Sequence, residues 1–156
     1  MNRFILWAAL PVLSALAIGC GPSVRMQTPP GFAVLEGQQE YVYRATSADG
    51  VVIAVRAEKN EPRGNLDFWA EAVDDKLRRN GYVPDGASAE VRTSTGLSGR
   101  EMKYKREQGG RSYRFWSVVF VIDQRVWVVE AGGDAERFKE KAQVGIQKAI
   151  ESLGVG

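Results

Sequence analysis

Two neighbouring segments near the carboxyl end have apolar residues at both odd and even positions, so as strands they would be apolar on both faces. This feature restricts the fold more than any other. In residues 113–122, Phe115 and Val119 lie on one side of an expected strand and Trp116 on the other, and residues 126–131 repeat the pattern. Successive side chains of a strand point to opposite faces, so a strand apolar on both sides needs cover on both. The sequence predicts an α+β fold, an antiparallel β-sheet with helices packed on both faces (an α-β-α sandwich).

Two stretches with helical period supply that cover, one for each face. In residues 66–80 apolar side chains recur at three- and four-residue spacing, with Asn65 as the N-cap. The second helix is expected over residues 134–153 and begins at Asp134. Gly145 lies inside it, where glycine weakens a helix, and it is interpreted as a point of close packing against the sheet.

The other periodic segments alternate with period two and predict strands joined by tight turns. Asp49-Gly50 is a pair that favours a two-residue hairpin because glycine accepts positive φ. Strands are expected at residues 32–35, 40–48, 51–56, 90–95, 100–106, 113–122 and 126–131, and the last four, which follow the first helix, are expected to form an antiparallel meander.

The amino-terminal segment has the pattern of a signal peptide. The sixteen residues from Phe4 to Gly19 carry no charge, follow Arg3 and are interrupted by Pro11. This run is short of the about 20 residues that a spanning helix needs. The segment Leu16-Ala17-Ile18-Gly19-Cys20 resembles the lipobox of bacterial lipoproteins, with Ala17 where many lipoboxes have leucine. The resemblance implies cleavage before Cys20 and acylation of its sulfur; the alternative is an ordinary secretory signal that ends beside a cysteine by chance.

The expected organisation is a lipoprotein signal peptide at 1–19, a lipidated tether at 20–30 and a domain at 31–156. Cleavage removes Arg3 and no acid, which leaves 20 basic against 19 acidic side chains, so attachment must come from the lipid and not from a polybasic surface. Gly21 is not the aspartate that retains many lipoproteins at the inner membrane. By resemblance the expected location is therefore the periplasmic face of the outer membrane.

The composition removes several classes of function. The chain has no histidine, and Cys20 is its only cysteine, so histidine metal sites, Ser-His and Cys-His catalysis and an internal disulfide are all excluded. A net charge of +2 provides no field that would collect nucleic acid. No catalytic residue, metal or cofactor is predicted, and the chain is not expected to be an enzyme.

Two motifs resemble ligand sites, and for each a structural interpretation is favoured. Asp67, Glu71 and Asp75 form a stripe on the first helix that suits a hard cation, but acids near a helix N-terminus and four residues before arginine are typical of a solvated helix face. Gly132-Gly133-Asp134 precedes a helix as phosphate loops do, but it lacks the lysine of such loops. A tight turn with Asp134 as N-cap is favoured, and no nucleotide is predicted.

Basic side chains cluster around an expected hairpin turn at Gly109-Gly110. They are a candidate surface for acidic headgroups or an acidic partner, and the favoured alternative is an edge hairpin whose charges prevent aggregation. The candidate interaction residues are Lys103, Lys105, Arg106, Arg111 and Arg114.

Aromatic residues offer a second candidate, a ligand groove. A domain of this size needs large aromatic side chains in its core, so a structural role is favoured for them. The candidates are Trp69, Trp116, Trp127, Tyr41 and Tyr43.

The order and spacing of several short motifs resemble the PsbP-like superfamily. Its members include photosynthetic oxygen-evolving-complex subunits, a Ran-binding nuclear import factor and bacterial lipoproteins similar to DcrB. The motifs are Pro30-Gly31-Phe32, Asp49-Gly50, Leu66-Asp67-Phe68-Trp69, Asn80-Gly81-Tyr82 and Gly132-Gly133. The resemblance implies an α-β-α sandwich that works as an accessory subunit. We therefore expect a lipid-anchored envelope protein that binds or assembles with an envelope partner; the alternative is a carrier or sensor of a small apolar or lipid ligand.

Overall fold

The structure is a computed structural model that describes residues 21–37 and 39–156. Cys20 and the predicted signal peptide lie outside the described residues. Within the described part, neither helix has the length and hydropathy needed to cross a bilayer. The elements are β1 (Val24–Arg25), β2 (Phe32–Val34), β3 (Tyr43–Ser47), β4 (Val52–Lys59), α1 (Leu66–Arg79), β5 (Val83–Pro84), β6 (Ala89–Arg92), β7 (Ser98–Gln108), β8 (Arg111–Ile122), β9 (Arg125–Asp134), α2 (Glu140–Glu151) and β10 (Gly154–Val155).

Eight strands form one antiparallel sheet in the order β2-β3-β4-β9-β8-β7-β5, and β6 also pairs with β7. A separate two-stranded sheet joins β1 to β10. The prediction of an antiparallel sheet accompanied by two helices is confirmed. The long strands β7, β8 and β9 are consecutive in the sequence and adjacent in the sheet, which is the expected meander.

The alternating pattern of β8 and β9 divides the core into two clusters. Val118 belongs to a cluster that includes Ile146 of α2, while its neighbour Val119 belongs to a cluster that includes Leu77 of α1. All four side chains are at most 9% exposed. Each helix therefore packs with a different set of alternating residues.

Helix α1 forms where the sequence predicts it. The Asn65 side chain accepts a hydrogen bond from the Phe68 backbone N–H at 2.9 Å, which satisfies a donor at the helix start. At the other end Gly81 has φ of +84°, the left-handed conformation that commonly ends a helix.

Helix α2 begins later than predicted, because the preceding strand is longer. Gly132, Gly133 and Asp134 pair with β8 and complete β9, so they are not a turn before a helix. Asp134 instead organises a turn: its carboxylate accepts from the Glu136 N–H and its carbonyl from the Phe138 N–H. The prediction of Asp134 as the N-cap was wrong.

The short strands are the elements that the period-two pattern misses. Strands β1, β5 and β10 have two residues each, too few to show a period. A tight hairpin at Asp49-Gly50 is confirmed, but its loop has three residues, 48–50, because the Ser47 N–H donates to the Val51 carbonyl, and of the predicted pair only Gly50 has positive φ, +83°.

Residues 23–30, which we call the strap, are bound to the body and do not form a free tether. Ser23 and Gly156 exchange two backbone hydrogen bonds of 3.1 and 3.0 Å. Farther along, the Gln27 N–H donates to the Ser152 hydroxyl at 2.8 Å, and the Tyr43 hydroxyl donates to Thr28 at 3.0 Å. Only Gly21 and Pro22 of the described tether residues precede the strap.

The strap also explains why a glycine occupies position 145 inside α2. A Cβ on Gly145 would lie 3.4 Å from Cβ of Pro29 and 3.7 Å from Cδ of Pro30. The glycine therefore faces the strap, and its interpretation as a crossing point against the sheet was wrong.

Two substitutions at Gly145 should separate helix propensity from strap packing. Gly145→Ala should raise the free energy of unfolding by up to about 1 kcal/mol, because its Cβ meets Pro29 at ordinary contact distance and alanine favours helix. Gly145→Leu should lower that free energy by about 1 to 3 kcal/mol, because its branch displaces the strap. Urea unfolding and limited trypsin cleavage at Arg25 measure both effects. Equal behaviour of the two variants would contradict strap packing at this position.

A candidate binding groove at the hairpin end of the sheet

The sheet has two ends with different surroundings. At the first, the Ser94 N–H donates to the Glu151 carbonyl at 2.7 Å and the Thr95 hydroxyl to the Leu153 carbonyl at 3.0 Å. We call this the seam end, because the β1–β10 pair lies there. Strand β7 leaves it and runs eleven residues, about 36 Å at 3.3 Å per residue, so the Gly109-Gly110 turn marks the opposite, hairpin end.

Three of the five predicted basic residues are engaged by acids. Lys105 and Arg114 are cross-strand partners, and both form ion pairs with Asp85, at 3.5 and 3.0 Å. Lys103 forms an ion pair with Glu101 at 3.1 Å, and its ammonium lies 4.1 Å from the centre of the Trp116 ring. All three cations are therefore already engaged by acids within the protein.

Arg106 and Arg111 differ from those three. Arg106 is the cross-strand partner of Tyr113, and its guanidinium lies 5.1 Å from the centre of the Tyr82 ring. Arg111 begins β8 opposite Gln108, next to the turn. Strand alternation places Arg106 on the opposite face from Lys103 and Lys105, so the five residues do not form one patch.

Arg106 lines a cavity of about 280 Å³ at the hairpin end. Its floor follows one row of the sheet register, in which Val52 of β4 pairs with Gly132 of β9, which pairs with Phe115 of β8. We call this cavity the aromatic groove; its defining residues are Tyr41, Arg44, Tyr82, Arg106, Tyr113, Phe115 and Gly132.

Tyr82 is held in the groove by packing against two other rings. The Tyr82 ring centre lies 5.0 Å from that of Phe115 and 6.3 Å from that of Tyr104. On the opposite side, the Arg44 guanidinium lies 5.4 Å from the centre of the Tyr41 ring. Cation–ring contacts of this kind hold a guanidinium beside an aromatic side chain.

Gly132 keeps the floor shallow. A Cβ at this position would lie 2.9 Å from the Arg114 carbonyl oxygen and 3.0 Å from Cδ2 of Phe115. Both distances are shorter than ordinary contacts. Any larger residue would move the Phe115 ring or the β8 backbone, so the groove depends on this glycine.

The charges lining the groove are mainly positive. The side chains of Arg44 and Arg106 line it together with one acid, Glu130, whose carboxylate forms an ion pair with Arg56. Arg114 contributes backbone to the groove: it is the cross-strand partner of Lys105, so its guanidinium lies on the opposite face of the sheet, where it pairs with Asp85. The acid is thus already engaged within the protein.

Of the aromatic residues predicted for a groove, only Tyr41 lines this one. Trp116 and Trp127 are buried in the core, 6% and 2% exposed, as the favoured structural interpretation expected. Trp69 packs with the α1 cluster and its indole N–H donates to Asn60 at 2.6 Å. Tyr43 is bonded to the strap.

A second cavity, of about 370 Å³, lies between α1 and β7. There Asp74 accepts from the Tyr104 hydroxyl at 2.7 Å and from Arg78 at 2.8 Å. Burial, and then the hydrogen bond to Asp74, raise the pKa of the Tyr104 hydroxyl. Asp67 of the acidic stripe is engaged by Arg100 at 2.8 Å. These polar groups are satisfied by one another, which is typical of structural contacts.

No family model matches the chain, and no curated protein matches it. Solved structures do. LpqN of Mycobacterium tuberculosis, described as involved in cell envelope biogenesis, is similar with a TM-score of 0.66 and 12% identity, over 86% of this chain and 84% of LpqN.

Two more structures share the fold. Cyanobacterial PsbP from Synechocystis has a TM-score of 0.55 and 9% identity, over 88% of this chain and 96% of its own. A Pseudomonas aeruginosa protein of unknown function has a TM-score of 0.57 and 10% identity, over 86% of this chain and 83% of its own. The predicted PsbP-like fold is confirmed.

Proposed function

We propose that this PsbP-like chain is a lipid-anchored cell-envelope protein that acts as a non-catalytic binding or assembly subunit of an envelope complex. In this proposal residues 1–19 are a signal peptide, Cys20 carries the lipid, and the body stands on the periplasmic face of the outer membrane. The lipobox-like segment before Cys20 supports it. The fold shared with LpqN, described as involved in cell envelope biogenesis, is consistent with an envelope role.

The observation that carries the proposal is the docked strap. Because the strap starts at Ser23, three residue steps separate Cys20 from the folded body, and they reach at most about 11 Å. An acylated Cys20 would hold the seam end close to the bilayer. The hairpin end would then face away from the membrane, where a partner is reachable.

We infer also that the two helices cover opposite faces of the sheet. The support is that α1 shares a cluster with Val119 and Val128, whereas α2 shares one with Val118 and Val129. Neighbouring residues of a strand point to opposite faces. The apolar alternation of β8 and β9 would then be covered on both sides.

The proposal assigns no catalytic residue. The chain has no histidine and one cysteine, so it lacks the usual base for activating a serine or cysteine nucleophile. Tyr104, whose pKa is raised, keeps its proton and donates a hydrogen bond to Asp74 in a contact between α1 and β7.

Site-specific photocrosslinking tests the binding role in native membranes. A photoreactive residue at Gln108, which lines the aromatic groove, should give a discrete protein adduct. The same probe at Arg92, an exposed residue near the seam end, is the matched control and should give none. Absence of an adduct from Gln108, or identical adducts from both positions, would contradict an assembly role through the hairpin end.

The second candidate is a carrier or sensor of a small apolar or lipid ligand, and the aromatic groove is the observation that favours it. Native mass spectrometry of the chain released from membranes distinguishes the two candidates. A retained small molecule supports the carrier. A chain without one, together with protein adducts from Gln108, supports the assembly subunit.

A further inference from the structure

We propose that the aromatic groove binds an acidic segment of a protein partner, with one apolar side chain on the floor and a carboxylate on the Arg106 guanidinium. This inference deepens the proposed function by naming the surface and the chemistry of the partner.

The charge of the groove favours an acidic partner. Arg106 has a ring contact with Tyr82, and within residues 21–37 and 39–156 no hydrogen bond or ion pair to a carboxylate is seen for it. Glu130, the one acid in the lining, is occupied by Arg56. A carboxylate from outside would therefore meet a guanidinium that contacts the Tyr82 ring, and arginine binds carboxylates through two parallel N–H groups.

The composition of the groove carries the second step. Three tyrosines, one phenylalanine and the side chains of two arginines, Arg44 and Arg106, line it. Tyrosine and arginine are enriched among the residues that contribute most to protein–protein binding energy. The groove of about 280 Å³ lies at the lower end of the about 300 to 1,000 Å³ of small-molecule pockets and has room for one or two side chains.

The position of the groove carries the third step. It lies near the Gly109-Gly110 turn, and Arg106 follows Ser98 of the seam end by eight residues of β7, about 26 Å at 3.3 Å per residue. Charges in physiological salt are screened beyond about 8 Å. With the seam end at the bilayer, headgroups would be too distant to attract Arg106, which favours a protein partner over the membrane.

Peptide binding to the mature lipidated protein, which begins at Cys20, in phosphatidylcholine nanodiscs tests the inference. The probe is a fluorescent peptide of sequence Glu-Glu-Phe-Glu-Glu, and the reversed-charge peptide Lys-Lys-Phe-Lys-Lys is its control. We expect the acidic peptide to bind and the basic peptide not to bind. Arg106→Glu should lower the affinity for the acidic peptide at least about tenfold, because it removes a charge-assisted hydrogen bond. Added salt should weaken it too.

Matched variants keep the result interpretable. Arg92→Glu makes the same charge change at an exposed residue of β6 near the seam end and should leave affinity unchanged. Tyr113→Ala should weaken binding by removing part of the lining. If Arg106→Glu lowers the melting temperature, Arg106→Gln replaces it, and circular dichroism verifies the fold.

Three outcomes would overturn the inference: no binding of the acidic peptide, equal weakening by Arg92→Glu, or Arg106-dependent binding to phosphatidylglycerol vesicles in place of the peptide. None of them bears on acylation of Cys20, which is measured separately. Loss of peptide binding in a protein still labelled by fatty acid would therefore remove the groove inference and leave the anchor intact.

Discussion

Replacing Cys20 by serine should abolish incorporation of labelled palmitate and release the chain from the membrane fraction. Each buried methylene of an acyl chain contributes about 0.8 kcal/mol to membrane binding, so the several chains of a bacterial lipoprotein hold it nearly irreversibly. A serine oxygen cannot replace the sulfur, and Cys20 is the only cysteine. Labelling in growing cells followed by membrane flotation measures both effects.

The control for this prediction moves the sulfur without removing it. The double variant Cys20→Ser with Ser23→Cys keeps one cysteine, but places it in the strap and away from Gly19. It should be neither labelled nor retained. Unchanged labelling of Cys20→Ser would contradict the assignment, and so would full membrane retention without any label.

Phe138→Ala should lower the free energy of unfolding by about 3 to 5 kcal/mol, the usual effect of truncating a buried phenylalanine. The Phe138 side chain is fully buried between the end of β9 and the start of α2. Its ring meets that of Trp116 edge to face at 5.3 Å. Truncation leaves a cavity beneath α2 and removes this aromatic contact. Urea denaturation followed by tryptophan fluorescence measures the loss.

The same substitution at Phe68 is the matched control. Phe68 lies on α1 with 46% of its surface exposed, and its ring contacts Trp69 at 5.3 Å. Phe68→Ala should lower the free energy of unfolding by about 1 kcal/mol or less, because little apolar area returns to water. Equal losses at the two positions would show that α2 does not depend on the buried ring.

The parts of the fold predicted correctly from the sequence are those specified by local pattern. The first helix has its cap at Asn65 and its stop at Gly81 within the same stretch of sequence. Strand β8 is long enough for alternation to appear on both faces. Neither prediction depends on which other segment of the chain packs beside the element.

The parts predicted wrongly depend on distant partners. Strand β9 continues through Gly132 and Gly133 because β8 remains beside it, and this pairing delays the start of α2. The strap docks because Ser23 pairs with Gly156, a residue far from it in the sequence. Two residues paired at such a separation leave no periodic signal in the sequence.

The candidate site shows the same division. The sequence identified Arg106 as a basic residue near a turn, but the register of β7 decided that it faces Tyr82 and Tyr113 instead of Lys103. The groove unites Tyr41, Tyr82 and Tyr113 from three separate segments. The sequence signal that pointed to the groove was the alternation that places Tyr113 and Phe115 on one side of β8.

Intact mass spectrometry of the protein extracted from the membranes of its own cells tests the account most directly. The account predicts a chain that begins at Cys20 and is heavier than its amino-acid sequence by the mass of the attached acyl groups. A chain that keeps residues 1–19, or one whose Cys20 carries a free thiol, would contradict it.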